Sequence, residues 1–151
     1  MPLDITDRES IKTILFKVLR GVYRLEQYEV NKFGLTFQQI YLLKFLNRSP
    51  KLSISNIAKE MRMKIFSATR LADQLEEKNL IKREKSTTDR RSVLVSLSKK
   101  GQALIKRIDD NALDLILDNI SGFPKDKIEA FLLTSEHFEE ILNPKAADGN
   151  K

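Results

Sequence analysis

The hydrophobic period of this chain changes once, and no other feature constrains its fold as strongly. Leu80-Ile81-Lys82-Arg83-Glu84-Lys85 and Ser92-Val93-Leu94-Val95-Ser96-Leu97 are short, rich in β-branched residues and patterned like strands. Between them Ser86-Thr87-Thr88-Asp89-Arg90-Arg91 is wholly polar, which suits a hairpin tip. On both sides of this hairpin, apolar residues return every three to four positions. The fold class expected is mainly α with a small β-hairpin wing, an α+β winged helix with about six helices.

The helices can be placed from their ends. From about Thr6 to Lys32 the stripe is Ile11, Ile14/Leu15, Val18, Val22 and Leu25, with Thr6 and Glu9 spaced as a capping box and Gly34 as the stop. Thr36 and Gln39 form a second box, opening a helix with Phe37, Ile40, Tyr41 and Leu43/Lys44 on successive turns; Asn47-Arg48-Ser49-Pro50 ends it. Ser53 can cap a short helix, Ile54 to Glu60, with Ile57 and Ala58 inward. After Met61-Arg62-Met63-Lys64, a longer helix from Ile65 to about Lys78 buries Ala68, Leu71, Ala72 and Leu75, and Asn79 takes the left-handed cap. Two helices on so short a connection have the size of a helix-turn-helix. Ser98 caps the next helix, striped by Leu104/Ile105, Ile108, Ala112, Leu115/Ile116 and Ile120, until Ser121-Gly122-Phe123-Pro124 breaks it. A last helix carries Ile128, Phe131/Leu132, Ser135, Phe138 and Ile141/Leu142.

Charge is unevenly spread along these elements. The 151 residues carry a net +6, yet residues 51–100 alone hold 13 Lys/Arg against 6 Asp/Glu, leaving the remainder at −1. A basic middle third on neutral flanks suits a polyanion-binding unit, although a merely solubilising surface fits charge alone equally well. With 41% hydrophobic and 32% charged residues the chain reads as soluble and globular. No run reaches the roughly 18 apolar residues of a membrane span. The acidic start, Met1-Pro2-Leu3-Asp4, has no apolar secretory stretch, so a cytoplasmic protein is expected. Cysteine is absent and histidine occurs once, which removes thiolate and His-rich metal sites. No nucleophile elbow or phosphate loop occurs either, so neither an enzyme nor a cofactor is expected. Asp110, Asp114 and Asp118 share a helix face but have no converging ligands, and read as a solvated stripe.

The run Leu52-Ser53-Ile54-Ser55-Asn56-Ile57-Ala58-Lys59-Glu60-Met61, then Thr69-Arg70-Leu71-Ala72-Asp73-Gln74-Leu75-Glu76-Glu77-Lys78-Asn79-Leu80-Ile81, then Asp89-Arg90-Arg91-Ser92 through Ser98-Lys99-Lys100-Gly101, resembles the MarR family of winged helix-turn-helix transcriptional regulators. The resemblance implies a winged DNA-binding domain over 35–100 and a helical dimerisation region over 1–34 and 101–143; the terminal 144–151 are expected as a flexible tail. It also implies a homodimer on double-stranded DNA. Three positions depart from the family pattern: Arg62 where the turn often has glycine, Lys64 where a hydroxyl usually caps the recognition helix, and the bulky Phe66 near its start.

On this reading Ile65, Phe66, Ser67, Thr69 and Arg70 face the major groove. Arg70 can address guanine and Phe66 a thymine methyl. Arg70 could instead pair with Asp73 or Gln74 on a solvated face, and Phe66 could pack into the core. Arg90 and Arg91 at the hairpin tip suit the minor groove, with Asp89 fixing the loop's shape. Lys64, Lys82, Arg83 and Lys85 are candidates for phosphate contacts. Phe16, Arg20, Tyr23 and Tyr41 are either ordinary core and dimer packing or part of a pocket for a small apolar or aromatic-acid effector. The expected function is a sequence-specific repressor released from a pseudo-palindromic operator by such an effector. The alternatives are a nonspecific architectural DNA binder and a winged-helix protein-interaction module that binds no DNA.

Overall fold

The computed structural model describes residues 7–144. The elements run α1 (Arg8–Phe33), α2 (Phe37–Arg48), β1 (Leu52–Ser53), α3 (Ile54–Glu60), α4 (Ile65–Glu77), β2 (Ile81–Lys85), β3 (Val93–Leu97), α5 (Lys99–Ile120), α6 (Lys125–Ser135) and α7 (Phe138–Ile141). Compactness divides the chain within α5, into a first unit reaching Ala112 and a second beginning at Leu113.

Local chemistry sets most of these boundaries. α1 is capped by Asp7, whose carboxylate accepts from the Glu9 and Ser10 amides at 3.2 Å each. The capping box expected at Thr6 is therefore replaced by an Asp cap one residue later; Thr6 itself lies outside the described residues, as do 145–151 of the expected tail. Gly34, at φ 66°, closes α1 by donating to the Val30 carbonyl. The box opening α2 is complete, with the Gln39 amide on the Thr36 hydroxyl and the Gln39 side chain on the Thr36 amide. Ser53 caps α3 through the Asn56 amide at 3.1 Å.

The core of the first unit is built by α2, α3, α4, the sheet and the first half of α5. Leu42, Leu43, Leu46, Ile57, Leu75, Val95, Ile105 and Ile108 are all fully buried there. In α2 the inward face runs through Ile40, Leu43 and Leu46, while Phe37 and Tyr41 point outward with their rings 6.1 Å apart. α1 is joined to α2 by a buried charge pair, in which Lys44 Nζ donates to both Glu29 oxygens at 2.9 and 3.1 Å.

The sheet has three antiparallel strands in the order β1-β3-β2. β2 and β3 form the expected hairpin, with Arg83 opposite Val95 and Lys85 opposite Val93. The two-residue β1, which pairs Leu52 with Val95 and Ser53 with Leu94, has no counterpart in the sequence reading. The last apolar stripe likewise divides into two helices, because regular helix ends at Glu136–His137.

A compact junction fixes the start of α5. Asn79, at φ 58°, turns the chain out of α4, and Ser98 Oγ donates to its carbonyl at 2.6 Å. The same hydroxyl accepts from the Gly101 amide at 2.9 Å, and the Ser98 amide donates to the Leu80 carbonyl at 3.0 Å. Residue 101 lies so close that any Cβ there would overlap the Leu80 carbonyl oxygen. Ser98-Lys99-Lys100-Gly101 is therefore the sequence of a backbone clamp, with Lys100 Nζ adding a bond to the Lys78 carbonyl.

Candidate nucleic-acid interface

α3 and α4 are joined through Arg62, held left-handed at φ 49°. The Met63 amide reaches back to the Ala58 carbonyl at 2.9 Å across this turn, so Arg62 takes the place that glycine fills most easily. α4 then begins at Lys64, which makes no side-chain cap bond. Ala68, Leu71, Ala72 and Leu75 hold the helix against the core. That anchoring turns Ile65, Phe66, Ser67 and Arg70 to solvent, with Thr69 partly covered. The Thr69 hydroxyl donates to the Ile65 carbonyl at 2.9 Å, leaving only its lone pairs for another group.

Phe66 is 71% exposed, the highest value of any large hydrophobic among the described residues. The core alternative for this ring is thereby removed. The Arg70 guanidinium lies over the ring, 5.9 Å from its centroid. The local acceptors that could have held Arg70 are engaged elsewhere: Asp73 bonds Arg83, and Gln74 accepts from Gln39 Nε2 at 3.2 Å.

At the hairpin tip Asp89 acts on the backbone. Its carboxylate accepts from the Arg91 amide at 2.9 Å and the Ser92 hydroxyl at 3.0 Å. These bonds hold its pKa below the usual carboxylate value. Ser86 Oγ accepts from the Thr88 and Asp89 amides, and the Ser86 amide closes the loop on the Ser92 carbonyl at 2.9 Å. Arg90 and Arg91 project from this braced loop, both exposed. A helix with an exposed cationic and apolar start thus accompanies a braced cationic hairpin within one folded unit.

A family model described as "MarR family" matches residues 35–93, the segment that contains α2 through the hairpin tip. The matched segment is a MarR-family domain. Its HTH-type relative MdtR of Bacillus subtilis, named a transcriptional repressor, is 37% identical over 79 residues, which make up 52% of this chain and 51% of MdtR. MgrA of Staphylococcus aureus, named a transcriptional regulator, is 25% identical over 123 residues, 81% of this chain and 82% of MgrA. Across the first three curated relatives the chain spans 51% to 63% of their length. Among solved structures, Streptococcus pneumoniae FabT in complex with DNA has the same fold, with a TM-score of 0.75 at 23% identity, covering 90% of this chain and 97% of FabT.

The other sequence-derived positions differ in their surroundings. Lys64 and Lys85 are exposed near the helix start and the wing. Lys82 lies opposite Ser96 and lines a hollow of about 290 Å³ with Asn47, Lys51 and Gln102. Arg83 is different: its Nη2 bonds Asp73 Oδ1 at 2.5 Å, and its Nε lies 3.5 Å from Glu76 Oε2. Asp73 and Glu76 were not singled out as site residues; their only signal is an i, i+3 acidic pair on α4. Phe16, Arg20 and Tyr23 lie on exposed surface of α1, with the Arg20 guanidinium 5.9 Å from the Phe16 centroid. Tyr41 projects from α2 and donates its hydroxyl to Glu60 at 3.2 Å. Among the described residues no acidic or histidine cluster is arranged to hold a metal ion, and no helix is long and apolar enough to cross a membrane.

Proposed function

We propose that this chain is a sequence-specific DNA-binding transcriptional repressor that occupies a pseudo-palindromic operator as a homodimer. The observation that carries the reading is the joint exposure of Phe66 and Arg70 on α4 and of Arg90 and Arg91 on a loop braced by Asp89. A protruding helix start suits the major groove, and guanidinium groups on a stiff hairpin suit the narrow minor groove beside it. Asp89 serves as the brace, Arg91 as the principal minor-groove residue, and Lys64, Lys82 and Lys85 as phosphate contacts. MdtR's name as a repressor and FabT's complex with DNA support the same assignment.

Dimerisation is supported by apolar surface that neither unit covers by itself. In α1, Ile14, Leu15, Leu19 and Val22 are exposed. The second unit has an apolar groove of about 360 Å³ lined by Ile116, Ile120, Phe123, Ile128, Phe131 and Leu132. Surface of this extent on a monomer favours association. The dimerisation region is accordingly assigned to the helices of 1–34 and 101–143, and the DNA-binding domain to 35–100. Release by a small apolar or aromatic-acid effector is supported by Arg20, whose guanidinium lies 5.9 Å from the Phe16 ring centroid on exposed α1 and could pair with a carboxylate.

Selection of duplexes from a random library, followed by competition against random DNA, tests the reading. The selected site should win by at least about 10³-fold, and affinity should fall steeply with salt. Arg70→Ala and Arg91→Ala should each lose about 1–3 kcal/mol of operator affinity. If both bind as the unsubstituted protein does, the site assignment fails. A flat response to sequence would indicate an architectural binder, and no binding at low salt a protein-interaction module. Calorimetric titration with aromatic acids that gives no heat would remove the effector from the scheme.

A further inference from the structure

Phe66 is costly to leave in water and nothing in its own helix requires it. The ring stands on the part of α4 best placed to enter a groove, 71% exposed, with the Arg70 guanidinium over its face at 5.9 Å. The two residues are four apart, so they lie one above the other on the same helix face. Their contact is also unopposed by the neighbouring polar side chains, since Asp73 and Gln74 are held by Arg83 and Gln39.

Geometry then limits what such a pair can read. An arginine that donates to O6 and N7 of guanine lies roughly in the plane of that base. A ring covering one face of the guanidinium must therefore lie at the level of the adjacent base pair. In right-handed B-DNA, the C5 substituent of a pyrimidine 5′ of a guanine projects over that guanine's major-groove edge. A methyl group there meets the phenyl ring and the guanidinium together, while a bare C5–H leaves a gap between them.

We infer that Phe66 and Arg70 act as one reading unit for a 5-methylpyrimidine–guanine step, thymine followed by guanine in ordinary DNA. The inference rests on the regulator reading above and adds the base step to it. Arg70 specifies the guanine by hydrogen bonds. Phe66 specifies its 5′ neighbour through the methyl group and holds the guanidinium flat against the base edge.

The full-length chain is tested on the duplex enriched from a random library. That site should contain a TG step in each half. Replacing the thymine of this step by deoxyuridine removes only the methyl group, and should weaken binding about fourfold per half-site, the transfer value of one buried methyl. Changing the step to CG should weaken binding too, and 5-methyl-deoxycytidine in that CG step should restore it. Phe66→Ala should bind the thymine and deoxyuridine duplexes equally, while its thermal midpoint stays at the parent value because the ring is exposed. An enriched site without a TG step, or equal affinity of the unsubstituted protein for thymine and deoxyuridine, overturns the inference and leaves the regulator reading standing. If no sequence is enriched, both fall.

Discussion

Arg83 Nη2 stands 2.5 Å from Asp73 Oδ1, so the first hairpin strand, β2, is joined to α4 by a charge-assisted hydrogen bond. The guanidinium is three-quarters buried and also faces Glu76. This cation faces two protein carboxylates, with Nη2 bonded to Asp73 and Nε 3.5 Å from Glu76, so it ties β2 to α4. Arg83→Ala should cost about 1 kcal/mol of stability, the size of a partly screened pair. A double-mutant cycle with Asp73→Ala should recover a coupling of the same order in urea melts. Its salt slope for DNA binding should match the parent's, whereas loss of a phosphate-contacting lysine lowers the slope by about one.

Gly101→Ala should be among the most damaging single-methyl changes in the chain. The added Cβ meets the Leu80 backbone, which is held by the Asn79 turn and the Ser98 bonds and has no side chain to swing aside. A loss of at least about 3 kcal/mol is expected, read as a fall in the urea midpoint.

Arg62→Gly should act in the opposite direction. A non-glycine residue at φ 49° bears a steric cost of about 1–2 kcal/mol, only part of which returns as glycine's extra unfolded-state entropy. A gain of about 0.5–1 kcal/mol in thermal or urea unfolding checks this. An unchanged midpoint would mean that the arginine side chain offsets the backbone cost.

Lys44→Met should leave Glu29 buried without its partner. Glu29 is only 4% exposed and both its oxygens accept from Lys44. Because Lys44 keeps about a third of its surface in water, the expected loss lies at the low end for a broken buried pair, about 3 kcal/mol. Adding Glu29→Gln should restore most of it at neutral pH.

Asp89 supplies a pH dependence whose direction follows from its lowered pKa. Its folded-state pKa lies below the ordinary aspartate value of 3.8, so the bonded wing is fully present above that value. The contribution is lost as pH falls through the folded pKa, when protonation weakens the bonds that the carboxylate accepts from the Arg91 amide and the Ser92 hydroxyl. Protection of that amide from hydrogen exchange should hold from neutral pH down through the ordinary carboxylate range and fall only at more acidic pH. Asp89→Ala should show the low-pH behaviour at every pH.

Much of the first unit was legible because its signals are local. Ser53 and the Thr36–Gln39 box set the starts of α3 and α2, and Asn79 was identified from its tolerance of the left-handed turn. The buried stripe of α4 follows from spacing alone and matches residue for residue. What escaped depends on partners distant in sequence. β1 is two residues long and exists only through pairing with β3, while Ser53 doubles as a helix cap. Arg83 looks like one more wing cation until α4 brings Asp73 and Glu76 beside it. Phe37 and Tyr41 fit the helical period, yet the inward face of α2 is decided by what α3, α4 and the sheet leave open. The opening of α1 was displaced by one residue, because Thr6 and Asp7 are both competent caps.

The clamp of Ser98 and Gly101 on Asn79 and Leu80 has a mechanical corollary. α5 begins 22 residues after the end of α4 in sequence, yet hydrogen bonds from its first turn reach the backbone on which α4 ends. Its first turn is thus a rigid coupling, with no slack in which a twist could dissipate. A rotation of the first turn of α5 therefore carries the C-terminal end of α4 with it, the end opposite Phe66.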